Sequence, residues 1–415
     1  MRVIVTSQLD AAGRRIFRLL EEHYGFRRAG EFEGAPVLER GEVRAIATER
    51  ELVRAEHLDS HFPEAEFYVF ASRHRAESEL RTLSVHVTGN LGREARVGGM
   101  PESLARAQPH AMRVALLELE RHRRRQRLEY QVCLEATHHG PTELEKPLLF
   151  VEVGPGEEQW RDERALRAVA EAALKAAECR ETFIPCVGAG GSHYAPRHTE
   201  LVLQSELAVG HIIPSYAIAE LEFEVFRQAV ELCGARAVHL DWKGMRAEER
   251  RKILKFSERL GVHAGRRRHI LERLSQSTLE VDATLLREAE RADTRAFKLM
   301  LEALGLSARR DSDGRVAGVS GTASPEEVVK GCAELLSKRM SVAVEGDELV
   351  LRRSRIDPER AARLGIRGGR QFAELAERGW TRVNGRLVRR EEVSALQERR
   401  VRLDTRTAEM LKRML

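Results

Sequence analysis

The chain has 415 residues, of which 42% are hydrophobic and 33% are charged, and its formal net charge at pH 7 is +5. The hydrophobic share is enough for a buried core, which excludes a disordered protein, and the length suggests two domains. The mildly basic charge permits an anionic partner. Five cysteines without Cys-x-x-Cys spacing exclude a disulfide framework, and neither a leader nor a membrane span is recognised. A soluble cytoplasmic protein is therefore expected.

Short apolar runs alternate with longer helical patterns from Met1 to about Arg268. This alternation predicts an α/β fold with three layers, in which helices cover both faces of a mostly parallel sheet. Strands are predicted at 2–6, 44–48, 66–71, 83–88, 130–136, 148–153, 182–188 and 236–242. Helices are predicted near 10–24, 103–128, 157–178, 215–233 and 247–261. Such sheets bind ligands at the carboxyl ends of their strands, where polar clusters fall in this sequence.

The character of the sequence changes after about residue 270. A helical pattern is followed by Ser324-Pro-Glu-Glu, which predicts a helix start with a capping box. Hairpin turns are predicted at Gly346-Asp347 and at Asn384-Gly385. The chain is therefore divided into a first domain at 1–270 and a small α+β module at 276–415.

The segment CLEATHHGPTE places two adjacent histidines, His138 and His139, at the end of a predicted strand that also carries Glu135. Neighbouring residues of a strand point to opposite faces, so the two imidazoles are expected to diverge and at most one need bind a metal. Imidazole and carboxylate groups suit zinc, and Glu152 and His193 are further candidate ligands. The alternative is a pair of partly buried histidines that hydrogen-bond to backbone carbonyls.

Two glycine-containing segments follow other predicted strands. The segment VGAGGSHYAPRHTE has neither the Walker A residues nor the glycine spacing of a dinucleotide site. It does bring flexible backbone next to His193 and Tyr194, so N–H groups at Gly190–Ser192 are candidates for binding an oxyanion. The segment SVHVTGNLG offers His86 and a similar turn at Gly89–Asn90. An ordinary structural turn remains the alternative for each.

Basic residues suggest a nucleic-acid partner. His74 lies between two arginines in ASRHRAES, a run that suits a phosphate or a solvated loop. The run RHRRRQR at 121–127 ends a helix, where cations complement the helix dipole. The run has more positive charge than capping requires, and the aromatic content of 5% disfavours a base-stacking platform. Contacts with the backbone of folded RNA are therefore favoured.

Together the segments HVTGNLG, EATHHGPTELEKP, GGSHYAPRHTE, VGHIIPSYA and DWKG resemble, in this order, the archaeal- and plant-type D-aminoacyl-tRNA deacylase family. The resemblance runs from Met1 to about His263. It implies a zinc-dependent esterase that releases D-amino acids of a broad range from tRNA, with a fold similar to peptidyl-tRNA hydrolases and nucleoside phosphorylases. The alternatives are a peptidyl-tRNA hydrolase-like or nucleoside phosphorylase-like enzyme, and a non-catalytic tRNA-binding protein.

The resemblance also implies roles for individual residues. Water would attack the ester with help from Zn²⁺ on ligands drawn from His138, His139, Glu152 and His193, while Glu135 or His86 would act as a base or orient a ligand. The full set of expected catalytic residues is His86, Thr88, Asn90, Glu135, His138, His139, Glu143, Gly190, Gly191, His193 and Tyr194. The residues expected to contact tRNA are Arg73, His74, Arg123, Arg124, Arg125 and Lys243. Rigid backbone at the glycine turns would exclude L isomers sterically.

The module at 276–415 faintly resembles a closing module found after some metallo-β-lactamase-type tRNA-processing nucleases. It is interpreted as an accessory module that contacts tRNA, with a stabilising or oligomerising appendage as the alternative. A monomer is the expected state, and no membrane partner is expected.

Overall fold

A computed structural model describes residues 1–76, 79–276, 279, 281–321 and 323–415. The chain forms two compact units, Met1–Arg273 and Leu274–Leu415. Glu77 and Ser78, which belong to the predicted phosphate-binding run, lie outside the described residues. In the described part of the chain, no helix has both the length and the apolar character needed to cross a membrane.

The first unit alternates strands and helices along most of its length. Its described strands are β1 (Arg2–Ser7), β2 (Arg27–Phe32), β3 (Ala35–Arg40), β4 (Val43–Thr48), β5 (Tyr68–Arg73), β6 (Thr82–His86), β7 (Gly89–Asn90), β8 (Ser103–Leu104), β9 (Gln131–Leu134), β10 (Leu148–Gly154), β11 (Ile184–Ala189), β12 (Leu207–Ile213), β13 (Ala237–Leu240) and β14 (His263–Gly265). Its helices are α1 (Ala11–His23), α2 (Leu58–His61), α3 (Pro109–Gln126), α4 (Glu163–Ala177), α5 (Pro196–Gln204), α6 (Ser215–Ile218), α7 (Phe223–Leu232), α8 (Ala247–Leu260) and α9 (Arg267–Gln276), the last of which crosses the unit boundary.

The mostly parallel α/β fold is confirmed, but the strands form two large sheets rather than the single one expected. The first sheet has the order β2-β3-β4-β1-β5-β10-β6-β9. The second has the order β12-β11-β13-β14, and all of its strands are parallel. Strand β12 and the hairpin β2–β3 were not predicted. The hairpin could not be predicted because β2 is almost wholly exposed and carries no alternating apolar pattern.

The direction of the strands changes in the middle of the first sheet. Strands β1, β5 and β10 are parallel, whereas β6 pairs with β10 in the antiparallel sense and β9 follows β6. His86 consequently lies beside Phe150, near the start of β10, and Glu152 lies beside Ser72 of β5. The polar clusters therefore meet over one face of the sheet, and the expectation that they share one edge of carboxyl ends is wrong.

Local sequence explains how helices attach to this sheet. The carboxylate of Asp10 caps α1 by accepting a hydrogen bond from Ala12 N (2.9 Å), and it also accepts one from Arg73 N at the end of β5 (2.8 Å). Asp162 caps α4 in the same way through Arg164 N (3.0 Å). The alanine-rich face of α4 is fully buried, which permits close packing on the strands.

The second unit is an α+β structure with its own cores. Its described elements are α10 (Ala283–Ala292), α11 (Thr294–Ala303), β15 (Leu306–Arg310), β16 (Val316–Gly321), α12 (Pro325–Ser337), β17 (Ser341–Glu345), β18 (Glu348–Ile356), α13 (Pro358–Arg363), α14 (Gly369–Arg378), β19 (Trp380–Val383), β20 (Arg386–Arg389), α15 (Arg390–Val393), β21 (Ser394–Arg402) and α16 (Thr405–Lys412). One buried cluster includes Leu286, Phe297 and Leu336, and a smaller one includes Ile366 and Leu375.

Three local predictions for the second unit are confirmed. Ser324 Oγ accepts a hydrogen bond from Glu327 N (3.2 Å), and the Glu327 carboxylate accepts one from Ser324 N (2.6 Å), which is the predicted capping box. A hairpin turns at Gly346-Asp347 between β17 and β18. A second turns at Asn384 and Gly385, whose φ angles of 49° and 85° suit the predicted type I′ turn.

Candidate active site

Glu152, on β10, is the centre of a buried polar network on the first sheet. Its carboxylate accepts a hydrogen bond from Ser72 Oγ (2.6 Å) and lies 3.3 Å from His74 Nδ1. His86 Nε2 is 3.4 Å from the same carboxylate. Burial alone would raise the pKa of Glu152, but the contacts with His74 and His86 hold it well below its usual value. The carboxylate is therefore ionised.

His74 connects this carboxylate with a second one. Its Nδ1 atom is 3.4 Å from Glu135 Oε1, while its Nε2 atom is 3.4 Å from the hydroxyl of Tyr194. Burial alone would lower the pKa of His74, but the hydrogen bond to Glu152 and the charge of Glu135 raise it to about 9. His74 is thus a buried cation between two carboxylates. The ring faces this network and also lines the cavity described below, so its contact with tRNA stays a prediction.

Three imidazoles, those of His86, His138 and His139, meet beside this network. The ring centroids of His138 and His139 are 4.3 Å apart, and that of His86 is 4.4 Å from His138 and 5.0 Å from His139. Their candidate ligand nitrogens lie within 4.8 Å of one another. The expectation that the two adjacent histidines diverge is therefore wrong.

The backbone explains this convergence. Strand β9 ends at Leu134, so strand alternation no longer applies at residue 138. His139 has a φ angle of 44°, a left-handed conformation that redirects its side chain. Gly89 N donates to the carbonyl of His139 (2.8 Å), which holds this strained residue against the end of β7.

Each of the three imidazoles turns Nδ1 towards a backbone carbonyl. The distances are 2.7 Å from His138 to Ala136 O, 2.6 Å from His139 to Gly140 O and 3.4 Å from His86 to Val87 O. An N–H at Nδ1 leaves the lone pair at Nε2 free to bind a metal. Burial and the neighbouring histidines lower the pKa of His138 far below its usual value, and burial together with His86 lowers that of His139 to about 4. Both rings are therefore neutral, as a ligand must be.

A buried carboxylate and a partly exposed histidine form a pair at the border of the cluster. His193 Nε2 is 3.1 Å from Glu135 Oε2, and the His193 side chain is 33% exposed whereas that of Glu135 is wholly buried. Burial alone would raise the pKa of Glu135, but the hydrogen bond with His193 and the charges of His74 and His86 lower it. Glu135 thus orients a histidine that reaches solvent.

Two of these groups have an unused polar atom. His86 Nε2 and Glu135 Oε1 are buried and make no hydrogen bond within the described residues, and their contacts with Glu152 and His74 are at 3.4 Å. Leaving a buried polar atom unpaired costs free energy, so such atoms require an explanation. Both belong to groups of nitrogen and oxygen atoms close enough to hold a metal ion, namely His86-His138-His139, Glu135-His138-His193 and His74-Glu135-Glu152. Glu152 and His193, two of the predicted ligands, lie in groups adjacent to the three-histidine group.

The cluster opens into a cavity of about 580 Å³. Its polar side includes Ser72, His74, His138, His139 and Glu152, and its cationic side includes Arg73, Arg75 and Arg96. Leu9, Leu52, Val53, Val97 and Phe150 form an apolar side. A ligand in this cavity would contact the imidazoles together with arginines and apolar side chains of the lining.

The turn after the histidines packs tightly against a loop of the cavity wall. Gly140 N donates to Val97 O (3.0 Å), and Thr142 Oγ1 accepts from Met100 N (2.8 Å). A Cβ atom on Gly140 would lie 2.3 Å from Gly99 N and 2.6 Å from Val53 O. Only glycine fits there, because the contact is with backbone that cannot rotate away.

Hydrogen bonds behind the cluster join the two large sheets. Ala136 N donates to His193 O (2.7 Å), and Thr137 N donates to Ile212 O at the end of β12 (2.9 Å). The hydroxyl of Thr137 is also 3.1 Å from His211 Nδ1. The segment that carries Glu135 therefore continues from β9 of the first sheet and is hydrogen-bonded to the second sheet.

Several predicted catalytic residues have structural contacts instead. Gly190 N donates to Ile213 O (2.8 Å) and Gly191 N to Gly244 O (3.3 Å), so neither is free to bind an oxyanion as expected. The N–H of Gly89 is likewise occupied. The Asn90 amide donates to Gly98 O (3.0 Å) and Met100 O (3.1 Å), although Asn90 also lines the cavity. Thr88 Oγ1 donates to Pro141 O.

The remaining predicted residues lie outside the cluster. Glu143 is exposed, and its N–H is bound by Glu56 (2.9 Å). Arg123 and Arg124 pair with Glu120 of their own helix at 2.7 Å and 2.5 Å, and their contact with tRNA stays a prediction. Arg125 and Lys243 are exposed, which leaves their contact with tRNA a prediction.

Sequence reasoning missed the position of His74. The residue follows strand β5, next to β10, which carries Glu152. A histidine that follows a buried strand was the signal already used for His138, and the same rule applied to FASRH would have selected His74. The flanking arginines instead favoured a solvated loop.

The sequence and structure resemble known proteins. Residues 61–265 match the protein family described as D-aminoacyl-tRNA deacylase. The chain is 39% identical over 270 residues to the D-aminoacyl-tRNA deacylase of Pyrococcus furiosus, a match that covers 98% of that protein and 63% of this chain. For that of Thermococcus kodakarensis the identity is 40% over 272 residues, with the same coverage of 98% and 63%. The crystal structure of a conserved protein of unknown function is 32% identical, with a TM-score of 0.61 over 65% of this chain and 96% of that chain.

The contact at Gly140 generates a stability prediction. Replacing Gly140 with Ala is expected to lower the free energy of unfolding by about 1–3 kcal/mol, the usual cost of overpacking, because the added carbon meets backbone. Gly92→Ala is the matched control, since a Cβ there meets nothing within 4 Å. Chemical denaturation of both variants measures the difference. Equal stability of the two variants would show that the backbone contacts at Gly140 do not restrict the size of the residue there.

Proposed function

We propose that this chain, which belongs to the D-aminoacyl-tRNA deacylase family, hydrolyses the ester bond between a D-amino acid and tRNA and releases both products. The geometric observation that carries the proposal is the convergence of the His86, His138 and His139 imidazoles beside the Glu135–His193 pair. An aminoacyl ester is already activated, so attack by water needs no covalent nucleophile. The cavity next to the imidazoles gives room for the terminal nucleoside and its amino acid.

Zinc is the proposed cofactor. The donor set fits it, because imidazole nitrogens are preferred zinc ligands and one ring nitrogen from each of His86, His138 and His139 lies within 4.8 Å of the other two. These three histidines are the proposed ligands, and Glu152 and His193 lie in adjacent groups. A bound zinc ion would act as a Lewis acid towards the ester carbonyl and lower the pKa of a water molecule.

Protein groups around the histidines have complementary tasks. His193 is proposed to take a proton from the attacking water, since it reaches solvent and Glu135 orients its ring at 3.1 Å. Glu135 also stabilises the imidazolium that results. His74 balances the negative charge of Glu135 and Glu152. The Tyr194 hydroxyl, 3.4 Å from His74 Nε2, orients that ring from the other side.

The first test is an assay with matched D- and L-tyrosyl-tRNA. Wild-type protein is expected to release tyrosine from the D isomer at least tenfold faster, because the cavity must exclude the L arrangement sterically. A chelator is expected to slow the reaction. Equal rates on both isomers, or no release, would reject the deacylase function. Release from N-blocked peptidyl-tRNA, or cleavage of nucleosides, would support the two enzymatic alternatives.

The second test concerns metal binding directly. Purified wild-type protein is expected to retain zinc, and His138→Ala or His139→Ala is expected to lower zinc affinity by more than about 100-fold, the upper range for changes in second-shell residues. His61→Ala is the control, because His61 is exposed and lies outside the three groups. Elemental analysis and competition with a zinc-sensitive dye measure this independently of activity. Unchanged zinc content in both variants would contradict the assignment.

The second unit is proposed to be an accessory module that strengthens tRNA binding. Relatives that are matched over 98% of their length pair with only 63% of this chain, which supports a catalytic function carried by the first unit. A protein ending at Arg273 is expected to keep its kcat while its KM for D-aminoacyl-tRNA rises. An unchanged KM would support the alternative of a stabilising appendage. Loss of kcat in a folded truncation would contradict the proposal.

A further inference from the structure

An exposed aromatic side chain lies close to the site without lining the cavity. Tyr216, on α6, is 68% exposed, the highest fraction among the large hydrophobic and aromatic side chains described. It is absent from the cavity wall. Partial removal from water, followed by the charge of Glu135, raises the pKa of the Tyr216 phenol.

Backbone hydrogen bonds attach Tyr216 to the loop that carries His193. Ser215 N donates to Gly191 O (3.0 Å), and Gly190 N donates to Ile213 O (2.8 Å). The Ser215 hydroxyl donates to Gly244 O, and Gly191 N donates to the same carbonyl (3.3 Å). Tyr216 and the loop around Gly244 are thus held at fixed positions relative to His193.

The loop around Gly244 adds positive charge. The guanidinium groups of Arg250 and Arg266 lie 5.1 Å and 5.0 Å from the Trp242 ring centroid. Arg250 also donates to Trp242 O (2.8 Å). Lys243 and Arg266 are exposed, and Trp242 is 37% exposed. We call these five residues, Tyr216, Trp242, Lys243, Arg250 and Arg266, the Tyr216 patch.

We propose that the Tyr216 patch binds the unpaired nucleotides that precede the terminal adenosine of the tRNA substrate, with the Tyr216 ring stacking on a base. The proposal rests on the deacylase function proposed above. Unpaired bases are recognised by stacking on aromatic rings, while phosphates are bound by arginine and lysine. The Tyr216 patch supplies both chemistries on two segments that the hydrogen bond from Ser215 to Gly244 joins.

The position of the Tyr216 patch explains this choice of ligand. The ester bond must lie at the imidazoles, and the cavity beside them is large enough for the terminal nucleoside with its amino acid. The nucleotides before it must then leave the cavity across neighbouring surface. Tyr216 follows Ser215, whose N–H donates to Gly191 O in the loop that carries His193, and His193 is itself partly exposed at the border of the cluster. A stacked base there would fix the direction from which the ester enters.

The test compares Tyr216→Ala with Tyr216→Phe in the full-length protein. The probe is a labelled oligoribonucleotide with an unpaired 3′ end of sequence CCA, measured by fluorescence anisotropy against the same RNA paired to its end. Tyr216→Ala is expected to weaken binding of the unpaired probe about tenfold, and Tyr216→Phe to bind like wild type, because stacking needs only the ring. The fully paired RNA is expected to bind weakly to all three proteins.

Kinetics separate this proposal from the deacylase function. With D-tyrosyl-tRNA, Tyr216→Ala is expected to raise KM about tenfold and leave kcat within twofold, and Tyr216→Phe to restore KM. Normal hydrolysis with an unchanged KM in Tyr216→Ala would overturn the stacking role while leaving the deacylase function in place. Specific binding of the unpaired probe without hydrolysis by wild-type protein would support the surface and reject the deacylase function. Equal binding of paired and unpaired RNA would also overturn the proposal.

Discussion

Two buried carboxylates impose the constraint on which the rest of the site depends. Glu135 and Glu152 are ionised in an environment with little water, and a buried charge without a partner is costly. His74 compensates both, at 3.4 Å and 3.3 Å. These contacts require β5 and β10 to pair and the segment after β9, on the far side of β6, to approach them. The arrangement of the central strands therefore also determines the charge balance of the site.

A second constraint concerns the backbone. His139 adopts a left-handed conformation that costs free energy for a residue other than glycine, and the Gly140 turn is packed against Val53 and Gly99. Surrounding hydrogen bonds offset this free-energy cost. As a result, the adjacent imidazoles of His138 and His139 face one point. The position of the two rings follows from the turn and not from the strand before it.

Much of the fold was predictable because local patterns determine individual strands, helices, caps and turns. Continuous apolar runs such as 148–153 match observed strands within a residue or two. Pairing between strands was not predictable, since the reversal of β6 and the separate second sheet depend on contacts far apart in sequence. For the same reason, the sequence selected Glu135, His138 and His193 but assigned His74 to a different role. Contacts between side chains can be predicted only when the pairing of the strands is known.

The hydrogen bonds from Ala136 N to His193 O and from Thr137 N to Ile212 O have a consequence for how catalytic competence arises. His86, His138 and His139 are carried by the first sheet and the turn beyond it, whereas His193 follows β11 of the second sheet. A folding chain whose sheets have not yet docked would hold the proposed metal ligands without the proposed base. Docking of the two sheets is therefore required before the three-histidine group and the Glu135–His193 pair can act together in the proposed reaction.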